Sequence, residues 1–174
     1  MAVENILTRT SVRSYLSREV EEQKTELLLR AAMSAPSGHD RRPWAFVVVN
    51  YREMLNRLAA ALPNAKMLTE APMAIIVCGD LTRVAEGEGS AYWIQDCSAA
   101  AEDILLAAHA LGLGAVWTGV YPKMQRVNAV KEILGMPEHI MPLNVIPIGY
   151  PKEQNVHKEK WDPGNIHYNL WGKQ

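Results

Sequence analysis

The chain has 174 residues, of which 48% are hydrophobic and 21% are charged, and its net charge is −1. These values predict one soluble globular domain, and they argue against a disordered chain and against a general attraction to nucleic acid or anionic membranes. No apolar run is long enough to span a membrane, and the first residues lack the pattern of a secretory signal, so we expect a cytoplasmic protein with no membrane or nucleic-acid partner.

A charged motif follows a short predicted helix at residues 4–7. Arg9, Ser11 and Arg13 alternate along the chain, so in an extended segment their side chains point the same way. Two cations and a hydroxyl on one side could hold a phosphate or another anion. From these residues alone, the commoner interpretation is a solvated charged edge.

Periodicity and breaker residues divide the rest of the chain into helices and short strands. Ser17 is predicted to cap a helix that runs to about Ser34. Other helical segments are expected at residues 51–62, 65–70 and 124–134. Apolar runs predict strands at residues 45–49, 74–78, 115–120 and 145–150, and Pro147 suggests an edge or irregular position for the last of them. Short strands spaced by helices give a layered α/β or α+β domain.

The longest predicted helix, residues 92–111, has few polar positions. Ser90 is its expected N-cap, and Gly112 stands where a left-handed residue would end it. From Ala99 onward, alanines extend the apolar surface almost all the way round, which indicates a helix buried on most sides. Either this helix forms the centre of a monomer's core or a second subunit covers part of it, and we favour the second interpretation.

Two loops and the C-terminal tail are polar. Residues 35–44 combine Pro, Gly, hydroxyl and charged side chains, which is typical of functional surface loops. Their neighbouring Ser, His and Asp rarely converge as the members of a hydrolase triad do. Residues 80–89 form an expected mobile loop. The tail, residues 151–174, carries aromatic anchors, and we expect it to wrap over its own surface or a neighbour's.

Residue types that often build metal or nucleotide sites lack the necessary spacing here. Five histidines are scattered, so no metal site is expected, and His109 is expected to be a core or interface residue. No P-loop is present, and the glycines at 112 and 114 follow a helix, whereas a dinucleotide fingerprint follows a strand. Cys78 and Cys97 lie in apolar runs and are expected to be reduced core residues.

Several short motifs occur together in one order along the chain. They are Arg9-Thr10-Ser11-Val12-Arg13; Ala35-Pro36-Ser37-Gly38 with Pro43-Trp44; the run 107–114 leading to Trp117-Thr118-Gly119; Ile148-Gly149-Tyr150-Pro151; and Lys160-Trp161-Asp162 with His167-Tyr168. In this combination the chain resembles the FMN-dependent nitroreductase family, especially its short single-domain members. The resemblance implies one α+β domain over residues 1–174, with a central mixed β-sheet flanked by helices. It also implies an intertwined homodimer, with the long helix in the interface and residues 151–174 on the partner subunit.

The same resemblance implies a set of FMN-binding residues. These are Arg9, Thr10, Ser11, Arg13, Pro36, Ser37, Gly38, Asp40, Lys66, Thr118, Gly119 and Lys160. By this resemblance the first segment would grip the flavin, with Arg13 at the pyrimidine edge of the ring. Residues 36–38 would contact the flavin of the other subunit, the backbone at 118–119 would lie near N5, and Lys160 would bind the phosphate. Asn64 and Lys66 align only loosely with a further flavin-contacting stretch.

Three positions depart from the family's pattern. Asp40 stands where Asn is usual, and Arg42 stands where Gln is usual, so an Asp40–Arg42 pair could replace the usual amides. Lys160 stands where Arg is common, which exchanges a bidentate fork for a point charge.

The function implied by the resemblance is an FMN-dependent oxidoreductase. NADH or NADPH would pass hydride to flavin N5, and a nitroaromatic, quinone or flavin acceptor would then take the electrons by a ping-pong mechanism. No catalytic side chain and no metal ligand are expected, because the flavin carries the chemistry. The alternatives are a flavin-binding storage or sensor protein without steady turnover, and a specialised flavin enzyme such as a reductive dehalogenase.

Overall fold

The computed structural model describes residues 2–153 and 156–172, with the backbone alone for Glu88. Residues 1, 154–155 and 173–174, which belong to the predicted domain and tail, lie outside the described residues. The described helices are α1 Ala2–Thr8, α2 Glu22–Met33, α3 Arg52–Ala61, α4 Trp93–Ala110 and α5 Met124–Leu134. The strands are β1 Trp44–Val49, β2 Met73–Asp80, β3 Gly114–Ala115, β4 Thr118–Gly119 and β5 Ile140–Gly149. Short 3₁₀ helices cover Gly38–Asp40, Lys66–Thr69, Gly87–Tyr92 and Pro163–Asn165.

One sheet joins all of these strands and confirms the predicted α+β class. Its order is β1-β2-β5-β3, and β4 pairs with β5 further along the same edge. The paired strands run antiparallel. The sheet is therefore antiparallel and not mixed as predicted, and among the described residues the parallel pairing is limited to an isolated bridge between Ser11 and Ala115, outside the strands.

The sheet separates two apolar cores, and alternation along β2 supplies both of them. Ile75 and Val77 pack toward α2 and α4 on one face. Ile76 and Cys78 pack toward α3 and α5 on the other face. Burial of these branched side chains on both faces provides the main driving force for folding.

The predicted starts of two helices are wrong. α2 begins at Glu22, not after Ser17, because the preceding chain is held in an extended form against the end of β5. Leu16 N donates to the Tyr150 carbonyl at 2.9 Å, and the Arg18 guanidinium lies 3.9 Å above the Tyr150 ring. Ser90 does not cap α4, because it lies inside the 3₁₀ helix that leads into it.

One strand prediction is wrong in detail, and another is correct in one of its two alternatives. The strand expected at residues 115–120 is divided into β3 and β4. Pro147 is not at an edge, because β5 pairs with β2 on one side and with β3 and β4 on the other. Its position is irregular, because neither β3 nor β4 pairs with it. The Pro147 carbonyl accepts from the Tyr15 hydroxyl at 3.2 Å, on the side of β5 that faces the interval between β3 and β4. In a strand the N–H of a residue would point to the same side as its carbonyl. Proline, which lacks the N–H, is tolerated here because no neighbouring strand needs that donor.

The chain's own elements cover only one side of α4. Its buried residues are Trp93, Asp96, Cys97, Ala100, Ala101, Ile104, Leu105 and Ala108. Gln95 and Glu102 are exposed, and Ala99 and Leu106 are half-buried, so one stripe of the helix stays open. Gly112 ends α4 with a φ of +72°, as predicted. Among the described residues, no helix combines the length and the apolar character needed to cross a bilayer.

Candidate functional site

A cavity of about 460 Å³ brings together residues from the two ends of the sequence. Its lining residues are Arg9, Thr10, Ser11, Arg13, Val156, His157, Lys158 and Lys160. Five of the residues predicted to bind FMN therefore face one space. Lys160 reaches it from the C-terminal tail, about 150 positions away in the chain.

Backbone contacts with β3 hold the N-terminal side of this cavity. Val12 N donates to the Ala115 carbonyl at 3.0 Å, beside the Ser11–Ala115 bridge. The buried Tyr15 hydroxyl donates to the Val12 carbonyl at 2.7 Å. Residues 9–13 thus extend along the outer edge of the sheet. Arg9, Ser11 and Arg13 line one cavity, as their spacing predicts, but Thr10 lines it too, and of the intervening residues only Val12 is buried.

The cavity is strongly cationic. Arg9 Nε lies 3.4 Å from Glu102 Oε1, a carboxylate that is half exposed. Arg13, Lys158 and Lys160 form no ion pair with Asp or Glu in residues 2–153 and 156–172. Uncompensated cations beside two hydroxyls are the donor set that binds a phosphate.

Gly119 continues the same sheet edge. The Ser11–Ala115 bridge is parallel, so the chain after Ser11 runs in the direction of Trp117 and β4. The nearest described atom to a Cβ on Gly119, outside the adjacent residues, would be Trp117 Nε1 at 4.0 Å, so the space in front of Gly119 is open. The Thr118 hydroxyl is buried and donates to the Val145 carbonyl at 2.6 Å, which leaves only the backbone of Thr118 available.

Two polar side chains meet at the carbonyl of Gly119. Arg126 Nη1 donates to it at 2.9 Å, and Asn64 Nδ2 approaches it at 3.4 Å. Lys66, two positions after Asn64, begins a 3₁₀ helix and does not line the 460 Å³ cavity. Asn64, Thr118 and Gly119 do not line that cavity either, so of the two loosely aligned positions Asn64 contacts a predicted flavin-binding residue, Gly119, and Lys66 has no such contact among the described residues.

The predicted contacts at residues 36–40 lie apart from this cavity on their own chain. Gly38 N donates to Oδ1 of the buried Asp96 at 2.9 Å, and Arg42 N donates to Ser37 Oγ at 3.0 Å. The structure brings Gly38 together with the segment 84–93 and Asp96. Residues 36–40 therefore add nothing to the cationic cavity of the same subunit.

Asp40 and Arg42 form the pair that the sequence suggested. Nε and Nη2 of Arg42 donate to the two carboxylate oxygens at 2.7 and 2.6 Å. These hydrogen bonds, followed by the guanidinium charge, lower the pKa of Asp40 below its ordinary value. Both oxygens are engaged, so Asp40 has less capacity than an amide to bind a flavin directly.

A sequence model described as the nitroreductase family matches residues 6–63 and 56–150 of this chain. The chain belongs to the nitroreductase family. That membership was predicted from the order of the motifs along the chain. The two matched ranges include residues 9–13, the loop at residues 36–40 and β4.

Similar proteins extend over nearly the whole of this nitroreductase-family chain. A Methanothermobacter thermautotrophicus protein with the provisional name NADH dehydrogenase/NAD(P)H nitroreductase is 47% identical, covering 97% of this chain and 87% of that protein. The crystal structure of a Bacteroides thetaiotaomicron protein with the same provisional name is 55% identical, with a TM-score of 0.93 and 98% coverage of both chains. An FMN-dependent nitroreductase of Clostridium difficile R20291 is 31% identical, with a TM-score of 0.89 and coverage of 97% of this chain and 99% of that one. These structures confirm the nitroreductase fold.

Sequence reasoning missed several residues of this nitroreductase-family site. Arg126 belongs to a helix with ordinary amphipathic spacing, and no local motif marks it. His157 and Lys158 fall in a tail segment without periodicity, which gives no signal that they line the cavity. Asp96 lies on the apolar helix α4, where an acidic residue is unexpected. A buried carboxylate needs a hydrogen-bond donor from another segment, and this need is the one signal in the sequence that could have pointed to the contact with Gly38.

Proposed function

We propose that this protein is an FMN-dependent oxidoreductase. It takes a hydride from NADH or NADPH and passes the electrons to a nitroaromatic, quinone or flavin acceptor by a ping-pong mechanism. The observation that carries this proposal is the cationic, hydroxyl-lined cavity at the sheet edge of a nitroreductase-family chain. The cytoplasm, where free thiols such as those of Cys78 and Cys97 stay reduced, is the proposed location.

The chemistry of the lining residues fits FMN. Lys158, Lys160 and Arg9 would neutralise its phosphate, and the hydroxyls of Thr10 and Ser11 suit the ribityl chain. A volume of about 460 Å³ is within the usual range for a cofactor site. When bound, FMN supplies the redox chemistry by accepting a hydride and passing it on. Arg13 would hold positive charge at the edge of the ring, and the open backbone at Gly119 would allow the ring to approach closely.

A homodimer is the second part of the proposal. Val3, Ile6 and Leu7 form an apolar stripe on α1 that is 56–68% exposed. The open stripe of α4 lies beside α1, because Asn5 Nδ2 donates to the Leu106 carbonyl at 3.0 Å. In the homodimer that the family resemblance implies, residues 36–38 of the second subunit would contact the flavin in this cavity. That arrangement explains why this loop stands apart from the cavity on its own chain.

The first experiment is the visible absorption spectrum of the purified protein, before and after NADH is added without oxygen. We expect a flavin spectrum that bleaches, and steady NADH consumption when a quinone is present. Arg13→Ala should weaken FMN binding about tenfold, because a charge-assisted contact is lost. Arg30→Ala, which removes an exposed cation paired with Glu26 on α2, is the matched control and should bind FMN normally.

Each other outcome has a definite meaning. A colourless protein that takes up no added FMN contradicts the flavin assignment. Bound FMN that neither NADH nor NADPH bleaches favours a storage or sensor role or a specialised donor. Normal FMN affinity in Arg13→Ala would remove the role assigned to Arg13.

Sedimentation of the purified chain tests the dimer separately. We expect a dimer for the unaltered protein and dissociation of Leu7→Glu, because a charge would be placed in the α1 stripe. Tyr51→Glu makes the same type of change at an exposed aromatic residue before α3 and should remain dimeric. A monomeric unaltered protein that still binds FMN would contradict this part of the proposal.

A further inference from the structure

Arg126 places a permanent cation beside the proposed redox centre. Its Nη1 donates to the Gly119 carbonyl at 2.9 Å, so the guanidinium is fixed at the open end of the sheet edge. In the proposed function, on which this inference rests, Gly119 borders the flavin. The guanidinium then lies next to the space that the electron acceptor enters.

This guanidinium has binding capacity that its own chain does not use. Arg126 is half-buried, and within the described part of the chain it forms no ion pair with a carboxylate. The first turn of α5 contains no acidic residue. The hydrogen bond to Gly119 occupies one terminal nitrogen and leaves the remaining N–H donors of the fork unbonded in that same part of the chain.

Two other arginines are held by several internal hydrogen bonds each. The two terminal nitrogens of Arg52 donate to three carbonyls, those of Leu68, Thr69 and Ala71, at 2.7–2.9 Å. Arg42 is held by the two carboxylate oxygens of Asp40. Arg52 and Arg42 are therefore structural, whereas Arg126 has donors free for a ligand.

An aromatic side chain also lies near Gly119. Trp117 is 36% exposed, and its Nε1 lies 4.0 Å from the position of a Cβ on Gly119. A flat aromatic or quinoid molecule fits against an indole and an open glycine backbone. An anionic substituent on that molecule would meet the free N–H donors of the guanidinium.

We propose that Arg126 is a specificity-determining residue that selects aromatic acceptors with a carboxylate or another anionic substituent. For a nitroaromatic acceptor the reaction balances as follows. NADH loses a hydride and becomes NAD⁺, and the nitro group takes up that hydride and one proton from solvent. One N–O bond breaks, and the products are the nitroso compound and water. Arg126 takes no part in these bond changes and acts on binding alone.

The test compares an anionic and a neutral acceptor of the same shape. The acceptors are para-nitrobenzoate and para-nitrobenzyl alcohol, and the measured quantity is the ratio of their kcat/KM values. In Arg126→Gln this ratio should fall about tenfold, the effect of losing one charge-assisted hydrogen bond. Lys123→Gln removes an exposed cation at the N-cap of the same helix and should leave the ratio unchanged.

A binding measurement complements turnover. Calorimetry with benzoate and with benzyl alcohol, which accept no electrons, should show weaker benzoate binding to Arg126→Gln and similar binding of the alcohol. If the unaltered protein binds FMN but prefers neither member of the pair, the proposal is wrong and the proposed function stands. If neither acceptor is reduced but benzoate binding depends on Arg126, the anion site stands and the proposed function does not.

The 2′-phosphate of NADPH, which NADH lacks, is the other source of an anion near this residue. Its contribution is read from the KM values for NADPH and NADH in Arg126→Gln. A rise for NADPH alone, together with an unchanged acceptor ratio, would assign Arg126 to the donor and overturn the proposal. An effect of equal size on both acceptors would also overturn it, because Arg126 would then only fix the Gly119 carbonyl.

Discussion

Gly114 faces the side chain of Val12 so closely that a Cβ on Gly114 would lie 2.6 Å from the Cβ of Val12. The contact joins β3 to the segment that carries Arg9 and Arg13. A glycine here is required by the close approach of two chain segments, and the backbone at Gly114 does not have a positive φ. The position of the proposed phosphate grip therefore depends on the absence of one methyl group.

Gly114→Ala should consequently weaken both the fold and the cavity. Overpacking of this type costs about 1–3 kcal/mol of the free energy of unfolding, and displacement of residues 9–13 should weaken FMN binding several-fold. Gly135→Ala is the control. The φ of +62° at Gly135 should make this substitution cost about 1 kcal/mol of unfolding free energy. An added Cβ would meet no other atom within 4 Å, and Gly135 does not line the cavity, so FMN binding should not change. Chemical denaturation and an FMN titration measure both effects. Unchanged FMN affinity in Gly114→Ala would show that the grip does not need this contact.

Asp96 should stabilise the 36–40 loop through a single hydrogen bond. Asp96→Ala leaves Gly38 N–H without its acceptor, at a cost of about 1–3 kcal/mol of unfolding free energy, whereas Asp96→Asn keeps an acceptor oxygen and should cost less. Asp103→Ala changes a half-buried carboxyl on the same helix that has no hydrogen bond in the described residues. Thermal unfolding of the three variants gives the order. Equal losses for Asp96→Ala and Asp103→Ala would contradict a specific role for Asp96.

The two buried thiols should make the fold sensitive to alkali. Burial raises the pKa of Cys78 and of Cys97 from the ordinary value of 9.0 to about 12. A folded-state pKa above the unfolded value means that stability is complete below pH 9 and falls as the pH rises toward 12. At pH 10 the loss should be about 1 kcal/mol for each thiol. Burial also raises the pKa of the Tyr15 phenol, which adds to the loss at higher pH.

Denaturation at pH 7 and pH 10 measures this dependence. Cys97→Ala should lose less stability between these two pH values than the unaltered protein does, by the share of one thiol. The comparison uses the difference between the two pH values, so any general destabilisation by the substitution cancels. An identical difference in both proteins would contradict the raised pKa of Cys97.

The Tyr150 hydroxyl should control the acidity of Glu21. Its hydrogen bonds to the two carboxylate oxygens, at 2.6 and 2.9 Å, are the largest cause of a Glu21 pKa of about 2. A lowered folded-state pKa stabilises the fold above the ordinary value of 4.5, and that contribution is lost as the pH falls toward 2. Tyr150→Phe should raise the Glu21 pKa toward 4.5, as measured by NMR titration. Arg18→Ala should raise it less, and the reverse order would contradict the role of Tyr150.

Local sequence signals predicted those elements whose packing follows simple periodicity. β1, β2, α3 and α5 were found because a continuous apolar run or a helical repeat marks their buried residues, and Gly135, with a φ of +62°, ends α5. The start of α2 could not be read in this way. Tyr150, more than a hundred positions away, holds the preceding segment extended through a backbone hydrogen bond and an aromatic contact.

The candidate site shows the same limit. The alternation of Arg9, Ser11 and Arg13 allowed an anion grip but favoured a solvated charged edge, and both the flavin grip and the approach of Lys160 depended on a family resemblance. Arg126 and Asn64 meet at one carbonyl across three separate elements, and no spacing rule connects them. Contacts of this kind are set by tertiary packing, which a single sequence does not encode in its local pattern.

Four of the five tryptophans of this chain fall into two optical classes, and Trp117, at 36% exposure, lies between them. Trp44 and Trp93 are about 93–94% covered by the core, whereas Trp161 and Trp171 in the tail are 73% and 91% exposed. Fluorescence from the first pair reports the integrity of the core. Fluorescence from the second pair reports whether the tail packs against a protein surface. If their emission shifts to the blue as protein concentration rises, while emission from Trp44 and Trp93 stays constant, the change reports subunit association and not folding.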